Sequence, residues 1–391
     1  MTTQKINSNE KYMLKGSLKK SGYDRWRLVT TASHISTGEE RVFFIEFYTV
    51  NPAISPSECL LGYKSRNKVT EEDLHSALAG SLSAKNMKSE TLVQPSFVMV
   101  RAGVLCENGK HIDAYFPSDQ IQTGKTDLLF KVGTDESNFC SLTTSSTYGT
   151  VQISKADLIE SPEYMCQSGK MTWNLRYEKQ ISFPVSKGSG VFWAPSGART
   201  VFEGRIVLDG EEYEVTAPKS CGYFEKSWGK SLPSRQFHLN SSNLTSIING
   251  KTLEKSCFVV DGVYGGGINV FVSLEGRTVL FYASKSKRYD VNYEFTENPD
   301  SEEGTKFHWS VSISDSKYVV DIDGYSMDTS MFIRGYECPE GKRRLLKTAG
   351  SGSGTGELRL YEKIRKNLVL IEHVHIADMI ADYGSIEVPE E

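Results

Sequence analysis

Apolar and polar positions alternate along most of the chain with the two-residue period of half-buried β-strands. Gly22-Tyr-Asp-Arg-Trp-Arg-Leu-Val-Thr30 is the first such run, and Arg41 to Val50 follows a turn at Ser36-Thr-Gly38. In the second run Phe44, Glu46 and Tyr48 share one face, and Phe43, Ile45 and Phe47 the other. From residue 94 onwards strand-like runs return as Phe97 to Cys106, Ile112 to Phe116, Asp127 to Val132, Gly149 to Ile153 and Met171 to Arg176. Asp209-Gly210, Glu275-Gly276 and Ser314-Asp315 each separate two alternating runs, where hairpin turns are expected. One stretch departs from this pattern. Thr70 as N-cap, an acidic first turn, and Leu74 and Leu78 on one face predict a short helix near residues 70–79, inside an insertion over residues 64–90. Residues 1–20 are polar and Lys-rich and predict a frayed arm or edge strand. With about nine or ten strand candidates in each half, the expectation is an all-β chain of two barrels or sandwiches.

Composition narrows the class. A chain of 391 residues exceeds one ordinary core and implies two domains or three. Aromatic content of 11% with 33 Gly favours strands and tight turns over helices. A formal net charge of −4, with both signs spread along the chain, provides no basic surface to neutralise phosphates, so nucleic acid is not an expected partner. The seven cysteines stand singly without a Cys-x-x-Cys pair, which argues against a zinc site and a complete disulfide framework. No apolar leader precedes the first strand and no run approaches about 18 apolar residues, so a cytoplasmic protein with no membrane span is expected.

The densest candidate chemistry lies just past the midpoint, in Gly222-Tyr-Phe-Glu-Lys-Ser-Trp-Gly229. On an extended strand Tyr223, Glu225 and Ser227 share one face, and Phe224, Lys226 and Trp228 the other. One face can therefore carry a hydrogen-bonded acid into a cavity. The plainer alternative is a strand end whose Trp plugs a barrel and whose Glu225 and Lys226 pair in solvent. Glu46, between Phe44 and Tyr48, is either an acid with a raised pKa or a rim residue reaching solvent or an arginine such as Arg27. Gln236, His238 and Asn240 share one strand face and line either a cavity or the surface. His373 and His375 have metal-ligand spacing but no convincing third partner beyond Asp378. Gly350-Ser-Gly-Ser-Gly-Thr-Gly356 lacks the Gly-Lys-Ser/Thr ending of a phosphate loop and is expected as a flexible or kinked barrel loop.

The segment Tyr223-Phe-Glu-Lys-Ser-Trp-Gly229, with Pro233 and a strand ending at Asn240, resembles the Tyr-x-Glu-Lys-Asn-Trp-Gly segment of the tocopherol cyclase family. Two further blocks agree in order: Gly22 to Val29 leading to Thr49-Val-Asn-Pro-Ala53, and the late Gly356-Glu-Leu-Arg-Leu360. Ser227 stands where the family has Asn, and Arg235-Gln-Phe-His-Leu replaces an aromatic-rich stretch. The resemblance implies two lipocalin-like antiparallel β-barrel domains, an architecture shared with carotenoid 1,2-hydratases and fungal Diels–Alder enzymes. Residues 1–228 and 229–391 are then the N-terminal and C-terminal barrels. It also implies a pocket for a large apolar or isoprenoid molecule, with acid-promoted cyclisation or hydration at a double bond and no cofactor or metal. Glu225, Tyr223 and Asp24 are the catalytic candidates carried over. Trp26, Glu46, Tyr48, Lys226, Trp228, His238 and Asn240 are the ligand-binding candidates. A non-catalytic lipid carrier using the same pocket, and a carbohydrate- or protein-binding β module with outward aromatics, are the alternatives.

Overall fold

The computed structural model describes residues 9–387 except 63–65, 68–78, 80–89, 92, 135–137, 162–163, 188–189, 218, 284–288, 302–303 and 366. Its strands are paired antiparallel in a 13-stranded sheet running from Tyr23 to Gly229 and an 11-stranded sheet running from Arg235 to Glu387. The structure is nearly all β, a closed barrel and a half-barrel, and each sheet folds around its own apolar core. Trp26, Phe43, Phe47, Phe130, Trp173 and Phe224 fill the first core, and Phe237, Phe258, Trp309 and Leu358 belong to the second. Removal of one such aromatic from water contributes about 2–3 kcal/mol, so closely packed interiors of this kind dominate the stability of each barrel. No helix among the described residues is long and apolar enough to cross a membrane.

The expected hairpins form where the turn residues stand. Val191–Leu208 and Glu211–Val215 are joined at Asp209 and Gly210, whose φ values of 52° and 95° suit the tight connection. Gly267–Leu274 and Arg277–Tyr282 meet at Glu275-Gly276, and Gly304–Ser314 and Tyr318–Met327 meet next to Asp315. The helix expected near residues 70–79 lies outside the described residues. What is described of that insertion is a two-residue ladder, Arg66–Asn67 against Glu90–Thr91. A short α-helix that the apolar pattern did not reveal occupies Lys155–Glu160, where Ser154 and Asp157 form a reciprocal capping box.

Two expectations are corrected. The N-terminal arm is not frayed over residues 9–14: Leu14 is fully buried, and Glu10 C=O accepts from Trp26 Nε1 at 2.8 Å. The glycine-rich run is not a loop but the middle of a 20-residue strand, Leu345–Ile364, with register shifts on either side of Gly354. Glycine is required there because other groups approach the backbone closely. A Cβ on Gly350 would lie 1.9 Å from Asp382 Oδ1, and one on Gly356 would lie 2.1 Å from the Asp323 carbonyl. The bare backbone lets this strand pass from the second barrel's core into the contact between barrels.

That contact sets the geometry of the site. Strands Tyr23–His34 and Cys221–Gly229 lie side by side, with Arg27 opposite Glu225 and Trp26 opposite Lys226. One face of this pair turns into the first barrel and the other against the second domain. Val29, Phe44, Trp193 and Tyr223 thus pack with Val259, Phe271 and Ile380 of the second sheet. A second contact joins Tyr23, Tyr48 and Phe97 to Tyr336 and Leu346.

Candidate functional site

The alternation expected in the 222–229 segment is present, and it separates the candidates into two environments. Asp24, Trp26, Lys226 and Trp228 belong to the face that turns into the first barrel. Lys226 Nζ lies 2.6 Å from Asp24 Oδ1 and 3.6 Å from the centre of the Trp26 ring, and it donates to the Lys11 carbonyl at 2.7 Å. Burial pushes the Lys226 ammonium down to about 8 despite the Asp24 carboxylate, and burial likewise raises the Asp24 carboxyl against the pull of Lys226. Trp228 stacks on Phe192 at 5.1 Å. Lys226 is therefore not the partner of Glu225; the two side chains point to opposite faces of one strand.

Tyr223, Glu225, Glu46, Tyr48, His238 and Asn240 belong to the contact between the barrels. Glu225 accepts from Trp193 Nε1 at 2.7 Å, from the Tyr223 hydroxyl at 3.0 Å and from Arg25 Nη2 at 3.2 Å. Burial pushes its carboxyl up, but His238, Arg25 and Arg27, together with the Trp193 N–H, hold it below the ordinary carboxylate range. At neutral pH Glu225 is an anchored anion rather than a stored proton. Glu46 lies 3.7 Å from Arg27 Nε, as the arginine-partner alternative supposed, and accepts from the Tyr336 hydroxyl at 2.7 Å. Tyr48 donates to the Glu337 carbonyl at 2.6 Å.

Around these residues lies a buried ionic network that the sequence did not single out. Four guanidiniums, Arg25, Arg27, Arg101 and Arg334, face four carboxylates, Glu46, Asp113, Glu225 and Asp382. Asp382 of the second barrel accepts from Arg27 Nη1 of the first at 2.5 Å and from Arg334 Nη2 at 2.7 Å. Burial opposes the Asp382 charge, but Arg27 and Arg334 outweigh it and bring the carboxyl down to about 2. Arg101 grips Asp113 through two bonds of 2.8 and 2.7 Å, and it donates to the Gly335 carbonyl at 3.1 Å. The ring of Tyr336 lies near both Arg25 and Arg101, at 5.3 and 5.1 Å. The available signal was two arginines alternating with apolar residues on a strand, Arg25 and Arg27, where a half-buried strand needs no more than one.

A cavity of about 430 Å³ opens beside this network, within the range of small-molecule sites. Tyr23, Arg25, Trp193 and Ser227 form its wall on the first barrel, and Gln236, Asp261 and Asn269 its wall on the second. Asp261 accepts from His238 Nδ1 at 3.2 Å, while Asn240 Nδ2 approaches His238 Nε2 at 2.7 Å. These two partners fix the orientation of the imidazole ring. Burial raises the Asp261 carboxyl, against the His238 contact and with the help of the Glu225 charge. Its side chain, 23% exposed, meets the cavity. Asp261 and Trp193 are thus cavity residues that sequence reasoning missed, because a single Asp within a strand and a single Trp have no motif around them.

His373 Nε2 pairs with Glu357 at 2.9 Å and Asp378 accepts from Asn243 at 2.7 Å, so the two do not converge. Among the described residues no group of three or more His, Cys, Asp or Glu is placed to hold a metal ion.

No protein-family model matches the chain, and the search of curated proteins finds no match. Solved structures do align over nearly its whole length. A protein designated AttH from Nitrosomonas europaea is 10% identical with a TM-score of 0.39, over 97% of this chain and 98% of that one. Kievitone hydratase from Nectria haematococca is 12% identical with a TM-score of 0.43, over 97% of this chain and 93% of that one.

Proposed function

We propose that the cavity between the barrels binds a large apolar, isoprenoid-like molecule and promotes hydration or cyclisation at one of its double bonds. The observation that carries this reading is Asp261, a cavity carboxyl raised by burial and set against His238, opposite the indole of Trp193. The Asp261 proton passes to the less substituted alkene carbon and leaves a cation on the more substituted one. The aromatic wall at Trp193 and Tyr23 and the fixed Glu225 anion favour that charge. A water, or a hydroxyl oxygen of the substrate itself, bonds to the cation and returns a proton to the Asp261 carboxylate. Arg25, Gln236 and Asn269 provide polar contacts for the oxygenated end of the molecule. Tyr223 acts by holding Glu225. Asp24, Trp26, Lys226 and Trp228 support the strand pair from within the first barrel.

Purified protein is incubated with cell lipid extract, and retained species and products are identified by mass spectrometry for the wild type and Asp261→Asn. The expected result is a retained apolar species that both proteins hold and that only the wild type converts. Retention without conversion by the wild type makes the protein a carrier. No retained species sinks both.

A further inference from the structure

Among the described residues ten large apolar side chains are exposed, and six of them, Ile247, Ile248, Ile364, Leu368, Val369 and Leu370, gather at one end of the second barrel. Strand register places them together. Leu345–Ile364 turns back at Arg365 into Asn367–Glu387, with Lys363 opposite Leu368 and Tyr361 opposite Leu370. Asn243–Ser246 runs along the same strand as far as Val374, and the Ile247 N–H then donates to the His373 carbonyl at 2.8 Å. The Ile247-Ile248 turn therefore lies beside the hairpin. The cavity between the barrels lies at the opposite end of this sheet, near the turn joining Val263 to Gly267, so this inference stands apart from it.

Two features say what covers these side chains. Leu368 and Leu370 point to one side of the ribbon and Val369 to the other, yet they are 58%, 43% and 44% exposed. A flat protein partner covers one side of a ribbon, whereas a fluid apolar phase surrounds both. Exposed cations also stand on three turns at this end: Lys251, Lys317 and Arg365. The neighbouring carboxylates are occupied. Asp315 accepts from the N–H groups of Lys317 and Tyr318, Glu372 accepts from the Ser246 hydroxyl, and Glu362 lies near both Arg277 and Lys317. Aliphatic side chains at a protruding tip with exposed cations around them are the chemistry of an anionic lipid surface.

We propose that this end of the second barrel docks on an anionic membrane surface. Leu368, Val369 and Leu370 enter the boundary between headgroups and acyl chains, and Lys251, Lys317 and Arg365 lie among the lipid phosphates. The test is flotation of the full chain with phosphatidylcholine vesicles, with and without phosphatidylserine, at low and high salt. Wild-type protein is expected to float with the anionic vesicles and to be released by salt. Leu368→Ser/Leu370→Ser is expected to bind at least tenfold more weakly, and Arg365→Glu roughly fivefold more weakly. Thermal melts matching the wild type keep both variants interpretable, since every changed residue is exposed. Equal flotation of the double variant, or no flotation of the wild type, overturns the proposal. So does a wild-type dimer in gel filtration that Leu368→Ser/Leu370→Ser dissolves, because a second copy then covers the patch.

Discussion

Asp382→Asn tests whether the buried charges between the barrels hold them together. The substitution keeps the shape of the side chain but removes the closer of the two anions that Arg27 and Arg334 share, Glu46 being the other, and leaves four guanidiniums against three carboxylates. A carboxyl lowered from 3.8 to about 2 favours its charged form in the folded chain by about 2 kcal/mol. Truncating a fully buried pair costs more, about 3–5 kcal/mol, because the stranded guanidiniums cannot regain water. Thermal unfolding followed by tryptophan fluorescence is expected to show Tm lowered by roughly 10 °C at pH 7. The sign of the pH dependence is fixed by the depressed carboxyl: its contribution is present above the unfolded value near 3.8 and is lost as pH falls through about 2. Wild type and variant should therefore converge between about pH 4 and pH 2. Arg27→Met should be less harmful in the Asp382→Asn background than alone, with a coupling of at least about 1 kcal/mol. A Tm drop under about 2 °C with no coupling would show that the network contributes nothing to the association of the barrels.

Other outcomes follow from the same contacts. Tyr336→Phe removes a buried hydroxyl that donates to Glu46 and is expected to cost about 1–3 kcal/mol in urea unfolding. Gly350→Ala places a methyl group 1.9 Å from Asp382 Oδ1, so it should destabilise the chain much as Asp382→Asn does; a neutral effect would mean that the strand shifts freely. Lys226→Met strands Asp24 inside the first barrel, and adding Asp24→Asn should restore most of the lost stability in a double-mutant cycle. Glu225→Gln, which keeps an acceptor for Trp193 and Tyr223, is expected to leave ligand retention within about threefold while slowing any turnover at least tenfold.

The candidate site was legible in part. Alternation alone assigned Tyr223, Glu225 and Ser227 to one face and Phe224, Lys226 and Trp228 to the other, and it named Arg27 as a partner for Glu46. It could not say which face turns into a barrel, because Tyr223 to Gly229 is buried on both sides and the usual contrast between wet and dry faces is missing. The partners of the buried charges were also out of reach, since Arg25 meets Glu225 across 200 residues and Arg27 meets Asp382 across 355. Gly350 to Gly356 was misjudged for a related reason: glycine marks a loop by its freedom and a crowded strand by its lack of a side chain, and composition does not separate the two.

The amino-acid sequence by itself determined the local structure of this protein: the two-residue period, the turns at Asp209-Gly210 and Glu275-Gly276, and the division of each strand into two faces. Those depend on neighbours within a few residues. Only the tertiary structure decided that Asp24 and Lys226 lie inside a barrel, that Glu225 is an anchored anion, and that Asp261 and Trp193 share a cavity. Each of these depends on the electric field and packing produced when two distant sheets meet, which no local pattern encodes.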